Sequence, residues 1–338
     1  MKKCRIGIIG AGRIGKLHAE NIAYRMPQFQ LMGMADPYLD ETWAKRIGFP
    51  MITKNIDDLI NHTEIDAILI ASPSHLHVEQ IMKVSTAGKA IFCEKPMGLA
   101  IAEVENALAM VNKNKTLLQI GFNRRFDPNF ANIKKRVLQG AIGKPQIINI
   151  TSRDPVCPTE EYCKTSGGMF MDMTIHDFDM ARFLAGAEVT EVYAKGAVLI
   201  NPDIAKYGDI DTAVIQLTFA NGALGMIDNS RQAVYGYDQR AEVFGSLGSL
   251  MAHNQTEHAV VQLSKTGTYH SNPLYFFLER YEAAYLAEMQ AFYHAWLNHE
   301  ESPVSGFDGL QALKLAFAAK QSLDTALPVK LTEGHHDE

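Results

Sequence analysis

Short, largely unbroken apolar runs at 5–9, 30–35, 66–71, 89–93 and 117–121 alternate with helical periodicity, clearest at Ile101, Val104, Leu108 and Val111. Strands buried on both faces of a sheet read this way. Their alternation with helices predicts a parallel sheet with right-handed crossovers, hence a doubly wound α/β domain. From about residue 144 the pattern changes. Runs at 145–151, 189–200, 212–220, 223–229, 240–245 and 249–252 alternate apolar with polar positions, and Asn221-Gly222 signals a two-residue hairpin. Helical patterns over 276–298 and 307–324 precede a short strand at Val329-Lys330-Leu331. The expected organisation is an α/β domain over 1–123 and an α+β domain over 124–338. The second carries a large open, mostly antiparallel sheet, and substrate is expected in the crevice between the domains.

With 338 residues the chain can hold two domains and a substantial core. The formal charge of −6 argues against nucleic acid as a partner. No apolar run approaches 18 residues, so no membrane span is expected, and Met-Lys-Lys-Cys enters a strand without an apolar leader. Four cysteines (Cys4, Cys93, Cys157, Cys163) are too few and too scattered for a disulfide framework or a paired-cysteine metal site, which fits a reducing cytoplasm.

Chemistry enters at Gly10-Ala11-Gly12-Arg13-Ile14-Gly15, set between the first apolar run and a helical stretch. Gly10 allows a tight turn, Gly12 lets backbone approach a pyrophosphate, and Gly15 lets helix and strand pack closely. The helix then offers unpaired N–H groups and its positive dipole end to phosphates. Asp36 closes the second apolar run some 20 residues on, where a carboxylate binds the adenosine ribose of a dinucleotide. Pro37, Tyr38 and Leu39 supply no cation for a 2′-phosphate, which favours NAD over NADP. Asp36 could instead simply start a turn with Pro37. The expected first domain is therefore a Rossmann domain that binds NAD.

Three more segments fall beyond the carboxyl ends of parallel strands, where such sheets place ligands: Ser72-Pro73-Ser74-His75-Leu76-His77, Glu94-Lys95-Pro96 and Gly121 to Asp127. A lysine on a strand-end loop is ordinarily a solvated charge, but Glu94 and Pro96 hold Lys95 at the cofactor edge of the sheet. In the second half, Gly167-Gly168 opens an amphipathic helix on which Asp172 and His176, four apart, share a face. A carboxylate there orients the imidazole and favours its charged form. Asp172 as a first-turn acid and His176 as a polar contact is the plainer alternative. No third or fourth ligand has a spacing suited to zinc, so no metal is expected.

Taken together, Gly10 to Gly15, Ser72-Pro73 with His77, Glu94-Lys95-Pro96, Gly168 and Asp172…His176 resemble, in order, the glucose–fructose oxidoreductase/inositol dehydrogenase/MocA-like family. Gly121 to Asp127, Ser152-Arg153-Asp154-Pro155, Asp172 to Arg182 and Tyr235 are most similar to its inositol-oxidising branch. The resemblance covers nearly the whole chain. It implies reversible, NAD-linked, metal-free oxidation of a ring hydroxyl of myo-inositol to a ketone. It also implies a homotetramer built through the second-domain sheet. The implied cofactor contacts are Gly10, Gly12, Arg13, Ile14, Gly15, Asp36, Ser72, His77, Glu94, Lys95 and Arg124. Lys95, Arg125, Asp154, Asp172, His176 and Tyr235 are the implied substrate contacts.

Of these, Lys95, Asp172 and His176 form the expected acid–base set. A base with a pKa near working pH suits His176, with Lys95 stabilising the developing oxyanion, although Lys95 as the base stays open. Two rival readings are an NAD(P)-dependent dehydrogenase of a sugar or of scyllo- or chiro-inositol, and a catalytically silent NAD-binding sensor. The intact acid–base set speaks against the sensor.

Overall fold

β1 (Cys4–Ile9), β2 (Phe29–Ala35), β3 (Met51–Thr53), β4 (Ala67–Ile70), β5 (Ala90–Glu94) and β6 (Leu118–Gly121) form one sheet in the order β3-β2-β1-β4-β5-β6. Every neighbouring pair in it is parallel. The five apolar runs became β1, β2, β4, β5 and β6, and β4 is buried throughout, as a strand covered on both faces must be. β3 is additional; three half-buried residues at a sheet edge are too short to show a period. The strand order reverses between β1 and β4, so the loops that follow them flank the switch point where doubly wound sheets bind ligands.

The computed structural model describes residues 2–331. It forms two compact units, and the second does not run unbroken from residue 124: Ala284–Leu313 belongs with the first sheet. Aromatic packing explains the return. Phe292 meets Phe92 of β5 edge to face at 5.9 Å, and Tyr293 meets Phe29 of β2 at 5.6 Å. Gln119 Nε2 of β6 donates to the Glu288 carbonyl at 2.8 Å.

In the second unit β7 (Pro145–Arg153), β8 (Val189–Ala197), β9 (Thr212–Phe219), β10 (Leu224–Ser230), β11 (Asp238–Gly245) and β12 (Gly248–Ala252) occupy the six alternating runs. β13 (Val261–Ser264) and β14 (Gly267–His270) form a separate hairpin, and β15 (Val329–Lys330) joins the large sheet, ordered β12-β11-β7-β10-β9-β8-β15. All pairs in that sheet are antiparallel apart from β7 and β10, which run parallel. The hairpin β13–β14 was not foreseen because both its faces are exposed, so it shows no inward alternation. Asn221-Gly222 does connect two strands, but through a three-residue loop. Phe219 N–H donates to the Ala223 carbonyl, Gly222 N–H to the Phe219 carbonyl, and Gly222 takes the left-handed φ of 85° that such a bulged turn requires. The helical pattern over 276–298 breaks at Tyr281 into Phe277–Arg280 and Glu282–Asn298. Buried Arg280 pairs with Asp127 at the break, and Tyr281 donates to Gln239.

Candidate active site

The first unit carries the glycine loop. Gly10 sits at φ 101°, and a Cβ there would lie 2.5 Å from the Ala71 carbonyl carbon. A Cβ on Gly15 would stand 2.0 Å from the Gly10 carbonyl oxygen, so strand and helix approach here as only glycine allows. Gly12, by contrast, meets nothing within 4 Å. It caps the helix Arg13–Arg25, whose first turn carries no acidic residue and receives no side-chain cap. The open space lies beside unsatisfied N–H groups and a positive dipole end, which suits a pyrophosphate. Arg13 is exposed there and Ile14 half-buried. Asp36 accepts from Ala11 N–H of the loop at 2.8 Å through Oδ2 and from Tyr38 N–H at 2.7 Å through Oδ1. It therefore both makes the turn with Pro37 and places a carboxylate against the glycine loop. These residues fit a dinucleotide.

Behind the loop, Ser72 Oγ donates to Gln80 at 2.6 Å. His77 is 1% exposed, with Nδ1 2.8 Å from the Pro96 carbonyl and Nε2 2.8 Å from the Ser72 carbonyl. Both ring nitrogens thus face backbone carbonyls, and His77 sits between the two loops that carry them. Glu94 ends β5 with Oε1 2.7 Å from Nε2 of the buried His18, and Lys95 follows, half-buried. His18, Glu94 and Glu288 bring three potential metal-ligand atoms within 4.8 Å of one another, a grouping the sequence spacing did not suggest. The short His18–Glu94 contact is a hydrogen bond. Burial, then the nearby Glu94, pushes the Glu288 carboxyl well up, towards a neutral acid.

In the second unit Asp172 lies in a π-turn, Phe170–Thr174, that runs into the helix Ile175–Ala185 carrying His176. The expected uninterrupted α-helix is thus replaced, and the wider turn alters the phase between Asp172 and His176. Asp172 accepts from Arg231 Nη1 at 2.9 Å and from the Tyr162 hydroxyl at 2.6 Å. Burial and this carboxylate push the Tyr162 phenol up. The Arg231 side chain, 2% exposed, also lies 4.0 Å from Asp154 and, through Nη2, 3.7 Å from Asp209. Asp209 in turn accepts from Met169 N–H at 2.8 Å, and a Cβ on Gly168 would lie 3.0 Å from its Oδ1. Burial raises the Asp154 carboxyl to about 6 despite Arg231. Three carboxylates thus converge on one guanidinium, Asp172 and Asp154 at Nη1 and Asp209 at Nη2.

Three of the residues expected at ligands have protein partners in this structure. Arg124, expected at the cofactor, is buried against Asp177 at 2.5 Å, with Ser152 and Tyr237 at 3.4 Å. Arg125, expected at the substrate, forks onto the buried Asp179 at 2.8 and 2.6 Å. Tyr235 donates to Asp238 at 2.5 Å and accepts from Arg153 at 3.2 Å, within a network at one end of the sheet. All three are satisfied by partners from distant sequence, which spacing cannot show. Arg231, Asp209 and Tyr162 were in turn missed. A cavity of about 400 Å³ lined by Gly168, Met171, Tyr207, Asp209 and Phe317 borders this cluster at Asp209; Asp154, Asp172 and His176 do not line it.

A Rossmann unit with a dinucleotide loop, joined in one chain to an α+β unit rich in buried acids and carrying a half-buried His176, defines an NAD-binding oxidoreductase. Residues 4–122 match the model of the oxidoreductase family with an NAD-binding Rossmann fold, and residues 130–251 match that of the GFO/IDH/MocA C-terminal domain. The chain belongs to the GFO/IDH/MocA oxidoreductase family. It is 51% identical to an uncharacterized oxidoreductase, YrbE, of Bacillus subtilis (strain 168), covering 98% of this chain and 97% of that one. It is 47% identical to the myo-inositol 2-dehydrogenase of Thermotoga maritima, over 97% and 99% of the two chains. The crystal structure of scyllo-inositol dehydrogenase from Lactobacillus casei with bound NAD(H) and scyllo-inositol superposes with a TM-score of 0.91 at 33% identity, covering 97% and 99%.

Proposed function

We propose that this chain is an inositol 2-dehydrogenase that oxidises myo-inositol to its 2-keto product reversibly with NAD. The observation that carries the reading is the Asp154–Arg231–Asp172 arrangement, a charged and partly open set of hydrogen-bonding groups suited to a neutral, hydroxyl-rich ring. The 47% identity to a myo-inositol 2-dehydrogenase supports it. NAD, held at the glycine loop and Asp36, would supply the hydride acceptor for oxidation of a carbinol carbon. A ring nitrogen of His176 accepts the hydroxyl proton. Lys95 Nζ donates a hydrogen bond to the reacting oxygen and stabilises its developing charge. Asp172, locked by Arg231 and Tyr162, orients His176 and accepts from a substrate hydroxyl. Asp154 binds a further hydroxyl. The acid–base set has no use in a silent sensor.

An NADH-formation screen over myo-, scyllo- and chiro-inositol and common hexoses tests the reading, and myo-inositol is expected to give the highest kcat/KM. Analogues lacking a hydroxyl should be much poorer, because the site's own polar groups are left unsatisfied. Hexose turnover above that of every inositol overturns it. His176→Ala and Lys95→Ala are each expected to lower kcat by roughly 10²-fold.

The assembly we propose is a homotetramer through the second-unit sheet. Ile147 of β7 pairs with Leu224 of β10 on one side and Phe244 of β11 on the other, and all three are more than 40% exposed. With Met226 and Met251 they make an apolar sheet face of the kind that marks an interface. Sedimentation of Leu224→Lys beside the unaltered chain tests this. A cytoplasmic location accords with four free cysteines and with the lack, among the described residues, of any helix long and apolar enough to cross a membrane.

A further inference from the structure

Lys95 is flanked by two residues, and each is fixed by a different buried imidazole. On one side Glu94, the last residue of β5, pairs with Gly121 of β6, where a Cβ would lie 2.9 Å from its Oε2. Its other oxygen sits 2.7 Å from His18 Nε2. On the other side the Pro96 carbonyl lies 2.8 Å from His77 Nδ1. Both imidazoles are buried. His77 also has its far nitrogen 2.8 Å from the Ser72 carbonyl, and the neutral ring that burial favours donates to one of these two carbonyls at a time. His18, on the helix Arg13–Arg25, is fully buried and edged by the rings of Phe92 and Tyr285 at 5.3 and 5.8 Å. The Glu288 carboxyl lies near the same nitrogen, 4.0 Å from His18 Nε2.

We propose that His18 and His77 are positioning residues for Lys95: together they clamp Glu94 and Pro96 and so fix the backbone from which the lysine projects. The proposal rests on the reading of Lys95 as the group that stabilises the reacting oxygen. The backbone leaves the sheet at Glu94, so this step has no strand partner beyond Gly121 to define it. Side chains that hold a reacting group to within a few tenths of an ångström are worth large factors in rate, because a displacement of about 1 Å can cost 10²-fold. The same clamp joins the lysine to the glycine loop, since His18 lies one helical turn beyond Gly15, and to the loop after β4 through Ser72.

The test uses the full chain with His18→Leu, His18→Gln, His77→Leu and Lys95→Ala, each alone, and each leucine variant also combined with Lys95→Ala. Thermal unfolding and NAD dissociation constants identify which variants fold. In folded His18→Leu and His77→Leu we expect kcat to fall about 10- to 100-fold while KM for myo-inositol changes by less than about threefold. His18→Gln, whose amide can still donate to Glu94, is expected to recover most of the loss. On the Lys95→Ala background the leucine substitutions are expected to add little further loss, because they act through the missing side chain. Unchanged kcat in the folded leucine variants, or the full loss repeated on the Lys95→Ala background, overturns the clamp. If Lys95→Ala itself turns over normally, the reading of Lys95 falls and the clamp falls with it. If Lys95→Ala is slow while the histidine variants are not, the clamp alone falls.

Discussion

Arg231 Nη1 lies 2.9 Å from Asp172 Oδ2, in a side chain that solvent hardly reaches. The same guanidinium faces Asp154 and Asp209, so removing it leaves three carboxylates turned toward one another. Breaking a buried ion pair by deleting one partner typically costs about 3–5 kcal/mol. Arg231→Met is therefore expected to lower the stability of the second unit by an amount of that order. Arg231→Lys should recover only part, since one ammonium cannot serve Asp172 and Asp209 through separate nitrogens. Urea unfolding followed by circular dichroism measures both, and a loss below about 1 kcal/mol for Arg231→Met would show that the carboxylates do not depend on it.

Burial raises Asp154 from its ordinary 3.8 to about 6. Between those values the unfolded chain has released the proton while the folded chain keeps it. The group's contribution to stability is thus fully present below about 4 and is lost as pH rises to about 6, on the order of 3 kcal/mol in all. Substrate binding runs the other way, because only the ionised carboxylate accepts from a substrate hydroxyl with both oxygens. KM for myo-inositol is expected to fall as pH rises through 6. Asp154→Asn should flatten both profiles and hold KM near its low-pH value. A pH-independent KM in the unaltered chain, or an unchanged slope in the variant, removes Asp154 from the substrate site.

Asp36 offers its two oxygens to Ala11 and Tyr38 N–H groups and leaves negative charge where a 2′-phosphate would come. NAD is expected to be preferred over NADP by at least about 2 kcal/mol. Asp36→Ala with Tyr38→Arg should narrow that gap, since Tyr38 is 93% exposed and an arginine there can reach a phosphate. NAD affinity should also drop, because the loop loses the acceptor for Ala11. Dissociation constants for both cofactors decide it, and an unaltered chain that binds NADP as well as NAD contradicts the assignment.

Both sheets were legible because burial imposes a period on the sequence, and the glycine loop was legible because its spacing follows from sterics. The ion pairs were not legible, since their partners are set by tertiary packing. Arg231 left one faint signal: it continues the inward phase of Gly225, Ile227 and Asn229, all buried. Amid Asn229-Ser230-Arg231-Gln232 such an arginine reads as solvated, and only the convergence of Asp154, Asp172 and Asp209 makes its burial tolerable. Similarly, the apolar face of Glu282–Asn298 showed that the helix must pack, but not that Phe92 and Phe29 of the first sheet would receive it. The π-turn at Asp172 was hidden because a spacing of four fits an ordinary helix equally well.

Gly12 and Gly15 share one motif but are constrained by different things. At Gly15 a Cβ would stand 2.0 Å from a backbone oxygen of Gly10, which cannot move without dislodging the turn that ends β1. Gly15→Ala is therefore expected to destabilise the first unit by about 3 kcal/mol or more and to lose NAD binding with the fold. At Gly12 a Cβ meets no protein atom, and φ is −68°, which alanine adopts without strain. Gly12→Ala is expected to keep its melting temperature to within a few degrees, since an alanine cap costs under about 1 kcal/mol. Its NAD affinity should still fall by about tenfold or more, because the added methyl occupies the space a pyrophosphate needs to reach the helix N–H groups. Calorimetric titration with NAD beside thermal unfolding separates the two effects. A stable Gly12→Ala chain that binds NAD normally would place the pyrophosphate away from this loop.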